Sequence, residues 1–223
     1  GQNAMGSGAG GQENVAIGFE ALKACTTGNE SVAVGSYALG KTTTGVRNTA
    51  VGRQALYENT TGDKNVAVGF EALEANTTAD GNVAVGYHAL NDCSTGYSNV
   101  AIGMNALDAL STTFGCVAVG HNSLGSVTTG QDNTAVGRSA GTDITTGQEN
   151  LCLGYDAGKA SSPSGSITTG SRNVVLGDNN IQNIYCADTS ISSSDSRDKT
   201  DVTDFTHGLS WIKELRPVTY RWD

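Results

Sequence analysis

The pentapeptide N-V-A-V-G and its close variants return along this chain at a fixed interval. The closing glycine falls at Gly18, Gly35, Gly52, Gly69, Gly86, Gly103, Gly120, Gly137 and Gly154, each step being 17 residues. A tenth copy, N-V-V-L-G, ends at Gly177 after 23 residues, because K-A-S-S-P-S-G-S around Pro163 lengthens that unit by six. A fixed period over about 11–181 dictates the architecture before any local propensity is weighed.

Each column of the repeat has its own chemistry. Four residues before the glycine stands Asn in eight of ten copies, Ser31 and Cys116 being the exceptions. Three before and one before come β-branched or aliphatic residues such as Val15 and Ile17 or Leu151 and Leu153, with Ala almost always between them. Such a short apolar run bounded by Asn and Gly predicts a strand buried on both faces, since successive side chains point to opposite sides. After the glycine come two variable positions and then Ala-Leu in six copies, Ala21-Leu22 through Ala106-Leu107, which reads as a second short strand. Polar positions and Thr-Thr-Gly close the unit.

Seventeen residues cannot supply a strand, a helix and a return, so each copy is expected to form one turn of a solenoid. At about 4.8 Å per turn, the eight steps from Gly18 to Gly154 make a stack of roughly 38 Å. Asparagines in register can hydrogen-bond from turn to turn, and the invariant glycines mark a corner of positive φ or close backbone approach. With 30 glycines and 6% aromatic residues, little remains for a globular core. The alanine face, apolar but without bulk, reads as a subunit interface; an alanine-lined interior with valines facing a partner is equally allowed. The fold class expected is all-β: a parallel β-solenoid, β-roll-like, of 17-residue turns and trimeric, with a short α+β fragment at the C-terminus.

The net charge of −9 argues against nucleic acid, which requires clustered Lys and Arg. No apolar stretch approaches the roughly 20 residues that span a bilayer, so no membrane insertion is expected. The five cysteines form no C-x-x-C, and Cys25 and Cys93 lie four turns apart, about 19 Å against the roughly 7 Å limit of a disulfide. Reduced, buried thiols and assembly in a reducing cytoplasm are expected. His88, His121 and His207 share neither column nor ligand spacing, and no metal or other cofactor is expected. The Thr-Thr pairs suggest ice binding, but only one Thr of each pair can face a lattice, which favours turn chemistry. Phe19, Tyr37, Phe70, Tyr87, His88 and Tyr155, beside Arg53 and Arg138, follow the corner glycines and are the candidates for glycan contact, unless they are simply the variable face of the repeat.

Composition shifts after Gly177. A polar stretch precedes H-G-L-S-W-I-K-E-L-R-P-V-T-Y-R-W-D, in which Leu209, Ile212 and Leu215 have helical spacing, Thr206 suits an N-cap, Pro217 ends the helix, and V-T-Y-R-W reads as a strand. Ser194-Asp195-Ser196-Arg197-Asp198-Lys199 with the downstream L-x-x-I-x-x-L-x-P-V-x-Y-x-W resembles the opening of the S74 family, the self-cleaving intramolecular chaperones at the C-termini of phage tail fibres, tail spikes and endosialidases. The resemblance implies a catalytic dyad of Ser194 as nucleophile and Lys199 as base, with cleavage between Ser193 and Ser194. Asp195 and Arg197 suit orienting roles. The alternative is that the Ser-rich run is a solvated linker. The family domain is longer, so the chain carries only its start. The domains expected are a repeat solenoid over 1–181, a linker over 182–193, and the chaperone start over 194–223.

The repeat is also similar to the N-S-V-A-I-G repeat of YadA-type trimeric adhesin heads, though longer in period, and to repeats upstream of S74 domains in phage-like fibres. These resemblances imply a homotrimeric tail fibre on a virion, assembled in the host cytoplasm, that attaches to a host cell-surface receptor, with a glycan as one candidate. Enzymatic activity would extend at most to single-turnover self-cleavage. A bacterial trimeric autotransporter head is the alternative, but it requires a coiled-coil stalk and a membrane anchor. A polysaccharide-cutting tail spike needs two carboxylates about 5–9.5 Å apart, and Glu20, Glu58, Glu71, Glu74 and Asp108 form no marked pair in the repeat.

Overall fold

A computed structural model describes residues 1–6 and 11–183. Ten three-residue strands, β1 (Val15–Ile17), β2 (Val32–Val34), β3 (Thr49–Val51), β4 (Val66–Val68), β5 (Val83–Val85), β6 (Val100–Ile102), β7 (Val117–Val119), β8 (Thr134–Val136), β9 (Leu151–Leu153) and β10 (Val174–Leu176), form one parallel sheet in sequential order. Each pairs with the strand one turn on at the same column, as in Val66 with Val83, Ala67 with Ala84 and Val68 with Val85. The expected parallel β-solenoid is therefore present, one strand per turn.

The interior settles which face of the strand is inside. The central alanines, Ala33, Ala50, Ala67 and Ala84 among them, have no exposed surface, whereas the flanking aliphatics are half-buried or exposed. The alanine face is thus not a subunit interface, and the strands are not buried on both faces. The reason is volume. The Leu of each Ala-Leu pair, from Leu22 to Leu107, also points inward and is buried. A cross-section of 17 residues holds that leucine only if the residue opposite is small.

No second strand forms over Ala-Leu. The second residue after the corner glycine and the Leu both take positive φ, as at Glu71 (53°) and Leu73 (53°), so the segment coils instead of extending. A left-handed non-glycine residue costs about 1–3 kcal/mol, and here the neighbouring turn holds it in place. The Leu39 N–H donates to the Ala55 carbonyl at 3.1 Å, and the Leu56 N–H to the Ala72 carbonyl at 3.1 Å.

The asparagine column is a buried ladder of a particular kind. The Asn65 Oδ1 accepts the backbone N–H of Asn82 at 2.9 Å, while the Asn65 amide donates to the Ala79 carbonyl at 2.7 Å. Each side chain therefore ties the next turn to the closing loop of its own, and direct contact between amides is longer in the middle of the stack, 3.3 Å for Asn65 to Asn48, shortening to 2.8 Å for Asn173 to Asn150. Ser31 keeps the acceptor role, its hydroxyl receiving the Asn48 N–H at 3.1 Å. Burial is tolerated because these groups are paired.

The corner glycines have φ between 103° and 143° from Gly18 to Gly154, and a Cβ on any from Gly18 to Gly137 would run into the carbonyl group of the next corner. Gly1 lies against the Gly18 corner in the same way, and the Met5 N–H bonds the Ala21 carbonyl at 2.9 Å. The repeat thus reaches back beyond residue 11: G-Q-N-A-M takes the places that G-F-E-A-L takes one turn later.

Cys25, Cys93, Cys116 and Cys152 are buried free thiols. Burial pushes the Cys93 thiol up to about 12, and those of Cys116 and Cys152 up to about 11. Cys93 fills the column that holds Asn59 and Asn76 lower down and Leu110, Val127 and Ile144 higher up, all buried.

Two outcomes are expected. Gly69→Ala should lower the unfolding free energy by at least about 3 kcal/mol, from a strained φ and overlap with the Gly86 carbonyl, and Leu73→Ala by about 2–5 kcal/mol. Urea unfolding followed by circular dichroism checks both. At about pH 8, iodoacetamide should leave these four cysteines unlabelled in the native protein and label them on unfolding, as peptide mass mapping would show. Since burial raises the Cys93, Cys116 and Cys152 thiols above the unfolded value near 8.5, the stability they confer is complete below that pH and is lost as pH rises toward about 11 for Cys116 and Cys152 and about 12 for Cys93.

Candidate functional site

With alanine and leucine inward, the aliphatic residues of each strand form an outward face two columns wide. Val15, Ile17, Val51, Ile102, Val136, Leu153, Val174 and Leu176 are exposed, Ile17 at 58% and Val174 at 69%. Because the register is unbroken from β1 to β10, these side chains and the half-buried valines between them make an apolar band along the stack, continuous in the column before the glycine and interrupted in the other by Thr49 and Thr134. Isolated exposed aliphatics need no explanation, whereas a contiguous band marks an interaction surface.

The wall that follows the corner glycine is different. Phe19, Tyr37 and Tyr57 form a run of edge-to-face rings with centroids 5.3 and 5.9 Å apart. Further along, Phe70 and Tyr87 stack at 5.3 Å and Tyr87 and His88 at 4.1 Å. Cations cover several rings: the Lys41 Nζ lies 4.9 Å from the Tyr57 centroid, the Arg53 guanidinium 5.3 Å from that of Phe70, and the Arg138 guanidinium 4.3 Å from that of Tyr155. The glycan-contact candidates are therefore brought together in two groups, with Tyr155 and Arg138 apart from both.

Tyr57 is not among the residues that directly follow a corner glycine, yet its ring completes the first group. It stands five places after Gly52, and one turn earlier the same column holds Gly40. A Cβ at Gly40 would come within 2.9 Å of the Tyr57 ring, so this glycine lets the ring lie against the backbone. An aromatic residue stacked one period after a glycine in the same column was the available signal.

Two clefts flank the Tyr37–Tyr57 pair. One, of about 360 Å³, is lined by both tyrosines with Glu20, Lys23, Gly40 and Lys41; the other, of about 240 Å³, by the tyrosines with Arg53 and Gln54. Each cation is held by a carboxylate: Lys23 to Glu20 at 2.9 Å, Lys41 to Glu58 at 2.6 Å and Arg53 to Glu71 at 3.4 Å, Glu71 also meeting the His88 Nε2 at 2.8 Å. The Glu20 and Glu58 hydrogen bonds raise the pKa of Lys23 and Lys41. Such surface pairs contribute at most about 1 kcal/mol each, so what they provide is fixed positions for donors and acceptors.

The four glutamates weighed for glycoside hydrolysis are thereby committed to partners, Glu74 accepting from the Gln54 amide at 2.8 Å. Burial first and the neighbouring Asp92 second raise the Asp108 carboxyl above its usual range, but Asp108 lines neither cleft. The first Thr of each pair from Thr26 to Thr145 spends its hydroxyl internally, Thr43 donating to the Thr60 carbonyl at 3.1 Å and Thr60 to that of Thr77 at 2.9 Å, which supports turn chemistry over ice binding. Among the described residues no group of three or more His, Cys, Asp or Glu is placed to hold a metal, and no helix is long and apolar enough to cross a membrane.

Ser194 and Lys199, the linker over 182–193 beyond residue 183, and the helix and strand expected around Pro217 lie outside the described residues. No curated protein and no solved structure matches the chain. Residues 194–223 do match a family model, Peptidase_S74, described as the chaperone of endosialidase, over the same stretch in which the S-D-S-R-D-K hexapeptide and the L-R-P-V pattern carry the resemblance.

Proposed function

We propose that this chain is a segment of a homotrimeric surface fibre of the phage tail-fibre kind, trimerised by a C-terminal chaperone and displayed on a virion for attachment to a host receptor. The observation that carries the reading is the conjunction of a continuous outward aliphatic band with the S74 match beginning at residue 194. The solenoid interior takes only a few side chains from each turn, so in a single copy the strand aliphatics stay half-buried or exposed outside it. Removing a valine from water contributes about 1.5 kcal/mol or more, and ten turns of paired columns supply many. Three copies meeting on this band would supply the core that one copy lacks, and a chaperone that gathers three chains would overcome the entropy of bringing them together.

The dyad has a consistent chemistry. A serine hydroxyl is a weak nucleophile until a neutral base takes its proton. A free lysine, with a pKa near 10.4, must be brought to about 7–8 by desolvation inside the folded chaperone. Lys199 would then accept the Ser194 proton as the hydroxyl oxygen attacks the Ser193 carbonyl and return it to the departing Ser194 amine, leaving residue 193 joined to the Ser194 oxygen as an ester; water, giving up a proton to Lys199, would hydrolyse that ester to the Ser193 carboxylate, restore the Ser194 hydroxyl and separate the chains.

In sedimentation equilibrium, the protein should run as a trimer at micromolar concentration, and Val68→Asp with Val85→Asp should convert it to a poorly stable monomer; a stable compact monomer in the unsubstituted protein contradicts the reading. In the full-length protein, mass spectrometry should find a new N-terminus at Ser194. That terminus should vanish in both Ser194→Ala and Lys199→Ala while the fibre still folds. Cleavage unchanged in Lys199→Ala, or an N-terminus elsewhere, removes the dyad.

A further inference from the structure

The geometry points to the cleft between Tyr37 and Tyr57 as a binding site for a neutral saccharide, whose apolar ring face would lie on the tyrosines and whose hydroxyls would bond the paired side chains around them. The inference deepens the receptor-attachment reading, and its biological use rests on that reading.

Shape is the first support. A cleft of about 360 Å³ adjoining one of about 240 Å³ across a shared aromatic pair falls in the range of small-molecule sites, which begins at about 300 Å³. The second is the lining. Two tyrosines offer flat apolar faces with polar tips. Glu20 supplies acceptors, while Lys23, Lys41, Arg53 and the Gln54 amide supply donors, and a hydroxyl needs one of each. Gly40 is the third, since only the missing Cβ allows the Tyr57 ring its position 17 residues on. The strand aliphatics precede the corner glycine and these residues follow it, so the cleft lies on a different wall from the apolar band.

The same residues decide against other ligands. Every cation at the cleft is already held by a carboxylate, and the chain carries a net charge of −9, so no free positive charge attracts an acidic sugar. A peptide adding as a strand would need unpaired backbone, but here the Tyr37 N–H is bonded to the Phe19 carbonyl at 2.8 Å and the Lys41 N–H to that of Tyr57 at 3.1 Å. A wholly apolar ligand would strand the charged rim.

The test is a printed array of neutral hexasaccharides (glucans, mannans, galactans) beside hexagalacturonate and oligosialic acid, probed with the 223-residue protein and followed by calorimetry with the best binder. At least one neutral hexasaccharide should bind above both acidic probes. Tyr37→Ala and Tyr57→Ala should each weaken it about tenfold or more. Gly40→Ala, which removes no contacting group but displaces the Tyr57 ring, should weaken it as well, while Arg138→Ala should leave it unchanged. Should an alanine variant lose its fold by circular dichroism, Tyr57→Leu keeps the bulk and removes the ring face. Preference for an acidic probe, no binding of any neutral one, or binding indifferent to Tyr37, Gly40 and Tyr57 overturns the site. Because one chain supplies the whole cleft, sedimentation of the same samples separates the two readings: a monomer that binds keeps the cleft and removes the trimer, and a trimer that does not bind does the reverse.

Discussion

Everything in this fold depends on the hydrogen bonds that each turn makes with the same atoms of the next. The strand pairs, the Leu-to-Ala bonds after the corner and the asparagine acceptors all join residues one period apart. Once that register is set, the rest follows from crowding. Glycine must occupy the corner because the next corner's carbonyl lies where its Cβ would be. The strand centre must be alanine because a leucine already fills the space opposite. Left-handed residues persist outside glycine because a neighbouring turn accepts their N–H, as Arg53 does from Glu71 and Ala89 from Leu73.

Much of this was legible in the sequence. The period of 17 led directly to a parallel stack, though with a second strand in each turn that does not form, and the Asn column to a ladder. The side of the strand that faces inward was not legible. Alternation of Val and Ala separates two faces but does not say which is enclosed, and only the inward turn of Leu73 and its equivalents decides it. Nor could the pattern show that Ala-Leu coils, since positive φ at a leucine contradicts its own propensity and is imposed by the neighbouring turn. The Gly1 corner was readable, G-Q-N-A-M against G-F-E-A-L, but without its N-V-A-V strand it did not announce itself. The cleft was half readable: the residues after each glycine marked the wall, whereas the fit of Tyr57 over Gly40 appears only when turns are laid side by side.

The repeat thus separates tasks by column. Of the columns that point inward, Ala, Leu and Asn are nearly uniform, because each must fit its copies above and below, whereas the column of Cys93 is as buried and changes from Asn to Cys to Leu, Val and Ile. Of the outward strand columns, the one before the glycine is aliphatic in every turn and the other departs from that only at Thr49 and Thr134, as suits a surface meeting a symmetric partner. The columns after the corner vary freely, and there the rings and ion pairs collect. A stack of this kind changes what it contacts by substituting one wall, with no consequence for the register that holds it up.

The central claim is that copies meet side by side along the aliphatic band. Among the described residues β1 and β10 end the sheet, and association through a strand edge would lengthen the stack without hiding the band. Mass per unit length separates the two directly, because one chain contributes 17 residues for each strand spacing of about 4.8 Å. Small-angle X-ray scattering from the solenoid, analysed for its cross-section, should give three times the single-chain value. The single-chain value, in a particle of any length, would contradict the account.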